Sequence, residues 1–272
     1  LPVDPVLGTL EFLLDADTDT ELAVELHTTG NPQNYVPGER LTTVTARVPA
    51  GQKQWVEVAL DWTPEHARNA FVVLLENPHV ALHHSDSAEP GTLFFRHRTP
   101  PPEEKYTEQW REWKQTLHRQ SLCVRLGAAT EAFDARHVIG GYARPYGGPQ
   151  LWVSEPLEWD ERPWVELCWD APATFGEVAV IFDDEVEEDL INLHHHRTPY
   201  DVMPGLVRDY TIEAEVDDSW TTIASERDNR RRHRVHRLDQ AVTATRLRVV
   251  VESTNGAPRA HVVAVRAYAQ PR

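Results

Sequence analysis

Lysine and cysteine are both scarce in this 272-residue chain: lysine occurs only at positions 53, 105 and 114, and cysteine only at 123 and 168. Two cysteines exclude a disulfide-built scaffold, and their spacing does not decide whether they pair. The other basic residues are nearly all arginine, which we take as genome composition. Positive charge is in deficit: 27 Lys and Arg face 43 Asp and Glu, a formal net charge of −16. That balance argues against general affinity for nucleic acid or anionic membranes. No window approaches 18 uninterrupted apolar residues, so no membrane-spanning helix is expected. The opening Leu1-Pro2-Val3-Asp4-Pro5 lacks a basic segment followed by an apolar one, and it starts without methionine. A fragment or a processed chain is therefore expected. Gly-x-Gly-x-x-Gly is missing after any predicted strand, as is the strand–helix alternation that would carry it, which excludes a dinucleotide fold on this chain.

What is present is period-two alternation. With 40% apolar and 26% charged residues, the composition is that of a globular chain, and its length fits one large domain or two ordinary ones. Runs at Thr9–Leu14, Glu21–His27, Leu41–Val48, Gln54–Leu60, Ala70–Leu75 and Thr92–Phe95 place alternate side chains on one face, as strands with one wet face do. Turn residues separate them: Asn31-Pro32, Pro37-Gly38, Pro49-Ala50-Gly51, Asn77-Pro78 and Pro90-Gly91. The triplet Pro100-Pro101-Pro102 then predicts an extended spacer. Glu103–Gln115, with Trp110 and Trp113 three apart, fits either a short helix or a loop, and Leu122–Leu126 restores a strand signal. Further alternating runs follow at Trp164–Trp169, Gly176–Phe182, Tyr210–Val216, Thr245–Val251 and His261–Tyr268. The fold class expected is all-β, with two antiparallel, jelly-roll-like β-sandwiches over 1–100 and 128–272 joined by a connector over 101–127.

The second block has a familiar order: Val138-Ile139-Gly140-Gly141, Leu151–Ser154, Trp164–Trp169, Val178–Phe182, Arg208–Ile212, Arg246–Val249 and Val263–Tyr268. It resembles the discoidin-like, or coagulation factor type C, jelly roll of the galactose-binding-like superfamily. A narrower resemblance spans both blocks, through Asn31–Tyr35, Glu76–Val80, Gly141–Pro145, Pro156–Trp169 and Asp183–Tyr210. The whole chain looks like the C-terminal region of certain bacterial FAD-dependent oxidoreductases, in which a flavin-binding domain precedes two β domains. That likeness implies an N-terminal flavoprotein domain as a partner, with the flavin site itself not on this chain.

Several clusters bear chemistry on paper. His194-His195-His196 lies near Asp201 and downstream of the acidic run Asp183–Asp189. Imidazole and carboxylate suit Zn²⁺ or Cu²⁺, but in a strand only His194 and His196 would share a face, and two ligands do not make a site. The acidic run lacks the Asp-x-Asp-x-Asp-Gly spacing of a Ca²⁺ loop, so a solvated polar loop is expected and no metal is assigned. His83-His84-Ser85-Asp86 places three triad residue types side by side in sequence, which does not produce triad geometry, and no Gly-x-Ser-x-Gly elbow occurs. Arg230–Arg234 is a basic island expected at a hairpin tip, paired with the protein's own acids.

Nine tryptophans are many for this length. Trp164 and Trp169 are expected in the core; Trp152 and Trp159 flank a loop. Tyr142, Tyr146, Trp152, His194, His196, Arg197, Tyr200 and Asp201 fall on segments that the discoidin-like topology would gather at one end of the sandwich. The expectation is a non-catalytic accessory module without a cofactor that binds carbohydrate through these residues. The alternative is a structural region of an FAD-dependent oxidoreductase with no ligand affinity of its own. Neither nucleic acid nor membrane is an expected partner, and the expected setting is extracytoplasmic or secreted from a bacterium.

Overall fold

A computed structural model of the chain describes residues 2–29, 37–66, 68–85, 92, 94–96, 115–116, 121–127, 131–144, 150–159, 162–184 and 200–269. About two-thirds of these are in strands, and among the described residues helix is confined to one short 3₁₀ segment. The chain divides into two compact units, Leu1–Ala132 and Phe133–Arg272. Ser121–Leu122 and Val124–Leu126, inside the stretch expected as a connector, are strands of the first unit. The helix considered over Glu103–Gln115 falls outside the described residues except at Gln115, which begins a short strand.

In the first unit, β1 (Pro2–Val3), β6 (Arg68–Leu74), β3 (Thr20–Thr29) and β4 (Pro37–Val48) form one antiparallel sheet in that order. A second sheet runs β12 (Val124–Leu126), β2 (Leu7–Ala16), β5 (Gly51–Trp62), with β7 (Val80–Leu82) also paired to β2. β8–β11 (His84–Ser85 with Ser121–Leu122) and β9–β10 (Phe95–Arg96 with Gln115–Thr116) form two separate two-stranded sheets. Alternation decides the packing. Leu10, Phe12 and Leu14 of β2 face inward with Val56, Val58 and Leu60 of β5, against Leu22, Val24 and Leu26 of β3. Each such buried side chain contributes about 1.5–3 kcal/mol relative to exposure. Pro49 and Ala50 carry the chain from β4 in one sheet to β5 in the other.

The second unit begins with a 3₁₀ helix, Ala135–Ile139, capped by the Asp134 side chain, which accepts from the Arg136 N–H. Its sheet runs β13 (Trp152–Val153), β18 (His261–Tyr268), β14 (Trp164–Phe182), β17 (His233–Thr254), β15 (Val207–Val216), β16 (Ser219–Glu226). The long strands β14 and β17 stay paired end to end, with irregularities between Cys168 and Ala173 and between Phe175 and Glu177. Such bulges bend strands. β18 pairs the C-terminal part of β14, whereas β15 pairs the C-terminal part of β17. The sheet therefore closes over itself as a sandwich. Phe182 at the end of β14 meets Tyr210 of β15, rings 4.9 Å apart and inclined by 63°. Val178, Val180, Ile212, Leu247, Val249 and Val251 fill the same core. The link between β15 and β16 is Asp217-Asp218, both at positive φ, the two-residue hairpin geometry that matches strand twist.

Two expectations are corrected. β16 and β17 flank β15 and do not pair with each other, so Arg230–Arg232 lies in a crossover and not at a hairpin tip, and His233 and Arg234 already belong to β17. Trp164 is 49% exposed, because Val165 and Leu167 take the inner face of β14 and the residue before them must point outward. Trp169 does pack against the core, its ring 5.7 Å from Phe175. Cys123 and Cys168 are not joined in a disulfide.

Candidate functional site

The crossover from β16 to β17 passes the start of β15, and buried polar groups hold it there. Asn229 is 1% exposed. Its Nδ2 donates to the Val207 carbonyl at 2.7 Å, its N–H donates to the Arg208 carbonyl at 2.9 Å, and its Oδ1 accepts from the Arg231 N–H at 3.1 Å. Asn255 donates from Nδ2 to the carbonyls of Leu206 and Asn229. Asp209 accepts from the Ser253 hydroxyl at 2.6 Å and the Asp228 N–H at 2.9 Å. The Ser253 bond, with the Asp228 N–H and the nearby Arg208 and Arg227, holds the Asp209 carboxyl below the usual carboxylate range against the opposing effect of burial. Buried loop backbone must find partners, and here side-chain amides and a carboxylate supply them.

On this frame sits a cleft of about 400 Å³ lined by Asp184, Asp201, Val202, Met203, Leu206, Arg230 and Arg232. Its size falls in the range of small-ligand sites. Leu206 belongs to the hydrophobic core and Val202 packs against it, and Met203 completes the apolar part of the lining. Asp184 lies 3.4 Å from Arg144 and 3.8 Å from Arg232, whose guanidinium also donates to the Ala143 carbonyl. Arg230 and Asp201 are exposed. Among the described residues the lining thus presents guanidinium donors, carboxylate acceptors and an apolar patch.

Of the residues expected at the site, Asp201 lines the cleft and Tyr200, 41% exposed, precedes it. Tyr142 is 48% exposed, and its segment is tied to the cleft wall. The Tyr142 carbonyl accepts from Arg266 at 3.1 Å, the Ala143 carbonyl accepts from Arg232, and Arg144 pairs with Asp184. Gly141, at φ +85°, makes the turn into this segment, a conformation that favours glycine. Trp152 is elsewhere: it pairs with Val262 and is half-buried against the core. Tyr146, His194, His196 and Arg197 lie outside the described residues, as do Glu185–Asp189 of the acidic run. Among the described residues no group of three or more His, Cys, Asp or Glu could hold a metal ion. His83 is bonded to Asp15, Nε2 to Oδ1 at 2.9 Å, and Ser85 lies in β8. Asp86 is outside the described residues. Sequence reasoning missed Arg230, Arg232 and Asp184 as lining, having assigned them to solvated charged loops.

No protein-family model matches this chain, and no curated protein matches it. Among solved structures it is similar to the family 32 carbohydrate-binding module of Streptococcus pneumoniae EndoD (16% identity, TM-score 0.40, 51% of this chain and 86% of that one). It is also similar to the family 32 module of Clostridium perfringens NanJ in complex with galactose (13% identity, TM-score 0.34, 49% and 82%). A third similar structure is SpGH29 (19% identity, TM-score 0.38), where the match covers 53% of this chain and 26% of that one.

Proposed function

We propose that the second unit is a non-catalytic carbohydrate-binding module and that its ligand occupies the cleft beside Arg230 and Asp201. The observation that carries this reading is the cleft itself: an apolar patch packed on the core, rimmed by the guanidiniums of Arg230 and Arg232 on the crossover that Asn229 pins and by the carboxylates of Asp184 and Asp201. Hydroxyl-rich ligands need that mixture, and a rigid rim limits the entropy lost on binding. Tyr142 and Tyr200 supply exposed aromatic faces beside it. Titration of the chain against a glycan array, repeated with Arg230→Ala and Asp201→Ala, tests the reading. Binding to at least one glycan, weakened in both variants, is the expected result; no binding to any glycan refutes it.

A second reading follows from the resemblance to the C-terminal region of bacterial FAD-dependent oxidoreductases. On that reading the two units are an accessory region beside a flavin-binding domain of a longer protein, in an extracytoplasmic setting, with no glycan affinity of their own. A chain silent on the array that binds a separately supplied flavoprotein domain would establish it.

A further inference from the structure

Away from the cleft, the outer face of the second unit's sheet is built unlike a simple solvated face. Register sets Trp164 opposite Val250 and Val250 beside Thr211; it sets Glu166 opposite Arg248 and Arg248 beside Glu213. Outward positions of a one-sided sheet are normally wet. Here Val250, Thr211 and Glu213 are 3%, 7% and 8% exposed, so a second layer of side chains covers them.

That layer is ordered and electrically balanced. Arg246 grips Glu166 with two bonds, at 2.6 and 3.2 Å, and reaches Glu215 at 3.2 Å. Arg248 binds Glu213 at 2.6 Å, with Arg162 3.7 Å from the same residue. Glu252 lies 4.0 Å from Arg162 and is itself paired with Arg227, so four guanidiniums face four carboxylates among the described residues. The Arg248 guanidinium also lies 4.1 Å from the Trp220 ring and 5.7 Å from the Trp164 ring. Two indoles from strands on either side of it therefore lean toward one cation. Trp164 keeps 49% of its surface open to solvent.

A balanced lattice offers no net field to a charged partner, so nucleic acid, an anionic membrane or a charged peptide gains nothing from it. It offers fixed donors and acceptors next to an exposed indole. Those groups match a neutral chain with hydroxyls at its edges and apolar C–H faces. We propose that this sheet face is a second binding surface, separate from the cleft, which takes neutral extended polysaccharide with Trp164 as the stacking platform. The side chains are already held by one another, so little ordering remains to be done on binding.

Native gel electrophoresis of the full chain in gels containing xylan, mannan, galactan or mixed-linkage β-glucan tests this directly. At least one of the four should retard the protein, and raising the salt concentration should leave the retardation unchanged. Trp164→Ala should lower the apparent affinity roughly tenfold, Trp164→Tyr should keep most of it, and Arg230→Ala in the cleft should not change it. Mobility in polysaccharide-free gels and thermal melting confirm that each variant is folded. Retardation by none of the four overturns the proposal. So does retardation equal in Trp164→Ala and wild type, retardation lost in Arg230→Ala but kept in Trp164→Ala, or retardation abolished by salt.

Discussion

The Asn229 side-chain amide donates to the Val207 carbonyl at 2.7 Å, and this bond joins the crossover bearing Arg230 and Arg232 to the start of β15. Asn229 is buried and bonds in three directions. Asn229→Ala would strand the Val207 carbonyl and the Arg231 N–H without side-chain partners. Leaving a buried polar group unsatisfied costs about 1–3 kcal/mol. The expected loss in urea denaturation is therefore roughly 2–4 kcal/mol, with glycan affinity falling in parallel. A loss within about 0.5 kcal/mol, the range of ordinary surface substitutions, would show that the frame does not depend on this residue.

Tyr142 and Tyr200 are exposed beside the cleft, whereas Trp152 packs half-buried on the core. The consequences of truncation should separate accordingly. Tyr142→Ala or Tyr200→Ala should weaken glycan binding by about 1–3 kcal/mol, on the scale of aromatic–base stacking, with little change in melting temperature. Trp152→Ala should instead lower stability by roughly 2–4 kcal/mol through lost packing. Calorimetric titration and thermal melting on the three variants check this. Loss of affinity in Trp152→Ala alone, with stability intact, would return the stacking role to that tryptophan.

Alternation made most of the strands legible, and the exceptions have identifiable causes. Trp164–Trp169 and Gly176–Phe182 are two runs on paper but one strand in space, because the pairing irregularity between Cys168 and Ala173 accommodates Pro172. Proline cannot donate to a ladder, so it marks a break in the pattern where a bulge lets the strand continue. Trp164 and Trp169 differ in parity, so a regular strand cannot bury both. The inner face belongs to Val165, Leu167 and Trp169. Strand β16, with Thr221, Thr222 and Ser225 on a sheet edge, has too little apolar alternation to declare itself. The cleft was harder to foresee because its lining comes from three separate segments, around Asp184, Asp201 and Arg230. Only the folding over of β14 and β17 brings them together. Asn229, the buried amide that fixes the crossover, stands among charged neighbours, and no sequence pattern reveals its burial.

Gly127 gives a packing test in the first unit. Its N–H donates to the Thr9 carbonyl at 2.8 Å. A Cβ there would lie 2.4 Å from Thr9 Oγ1 and 2.9 Å from the Thr9 carbonyl oxygen. The hydroxyl can rotate away, but the backbone oxygen cannot without disturbing the pairing of β2 with β5. Gly127→Ala should therefore destabilise by about 1–3 kcal/mol, as overpacking does. Gly141→Ala is a useful contrast, since nothing lies within 4 Å of the added methyl and only the positive φ opposes it. A Gly127→Ala protein as stable as wild type would mean that β12 shifts freely along β2.

His236 sets the response to mild acid. It lies on β17 with Nε2 2.7 Å from the Tyr210 hydroxyl, and the two rings meet edge to face with centroids 5.7 Å apart. Burial, and to a lesser degree the Arg234 cation, push its pKa below the ordinary 6.5, while Glu226 opposes the shift. Burial also pushes the Tyr210 phenol well above its ordinary value, so that phenol stays protonated. A neutral imidazole can accept the phenolic hydrogen at Nε2; an imidazolium cannot. Near and below pH 6.5 the unfolded chain therefore binds this proton more readily than the folded one does. Folding stability from His236 is fully present above about pH 6.5 and is lost as pH falls through the lower folded value. The slope is at most about 1.4 kcal/mol per pH unit for one proton. Carboxylates held low, such as Asp209 and Glu25, lose their contribution only below about pH 4, so the two effects separate along the pH axis. Urea midpoints measured at steps between neutral pH and about pH 5 should fall for the wild type. His236→Gln, which keeps an acceptor for Tyr210 but cannot titrate, should flatten that dependence. Equal slopes in the two proteins would assign the acid sensitivity to other histidines.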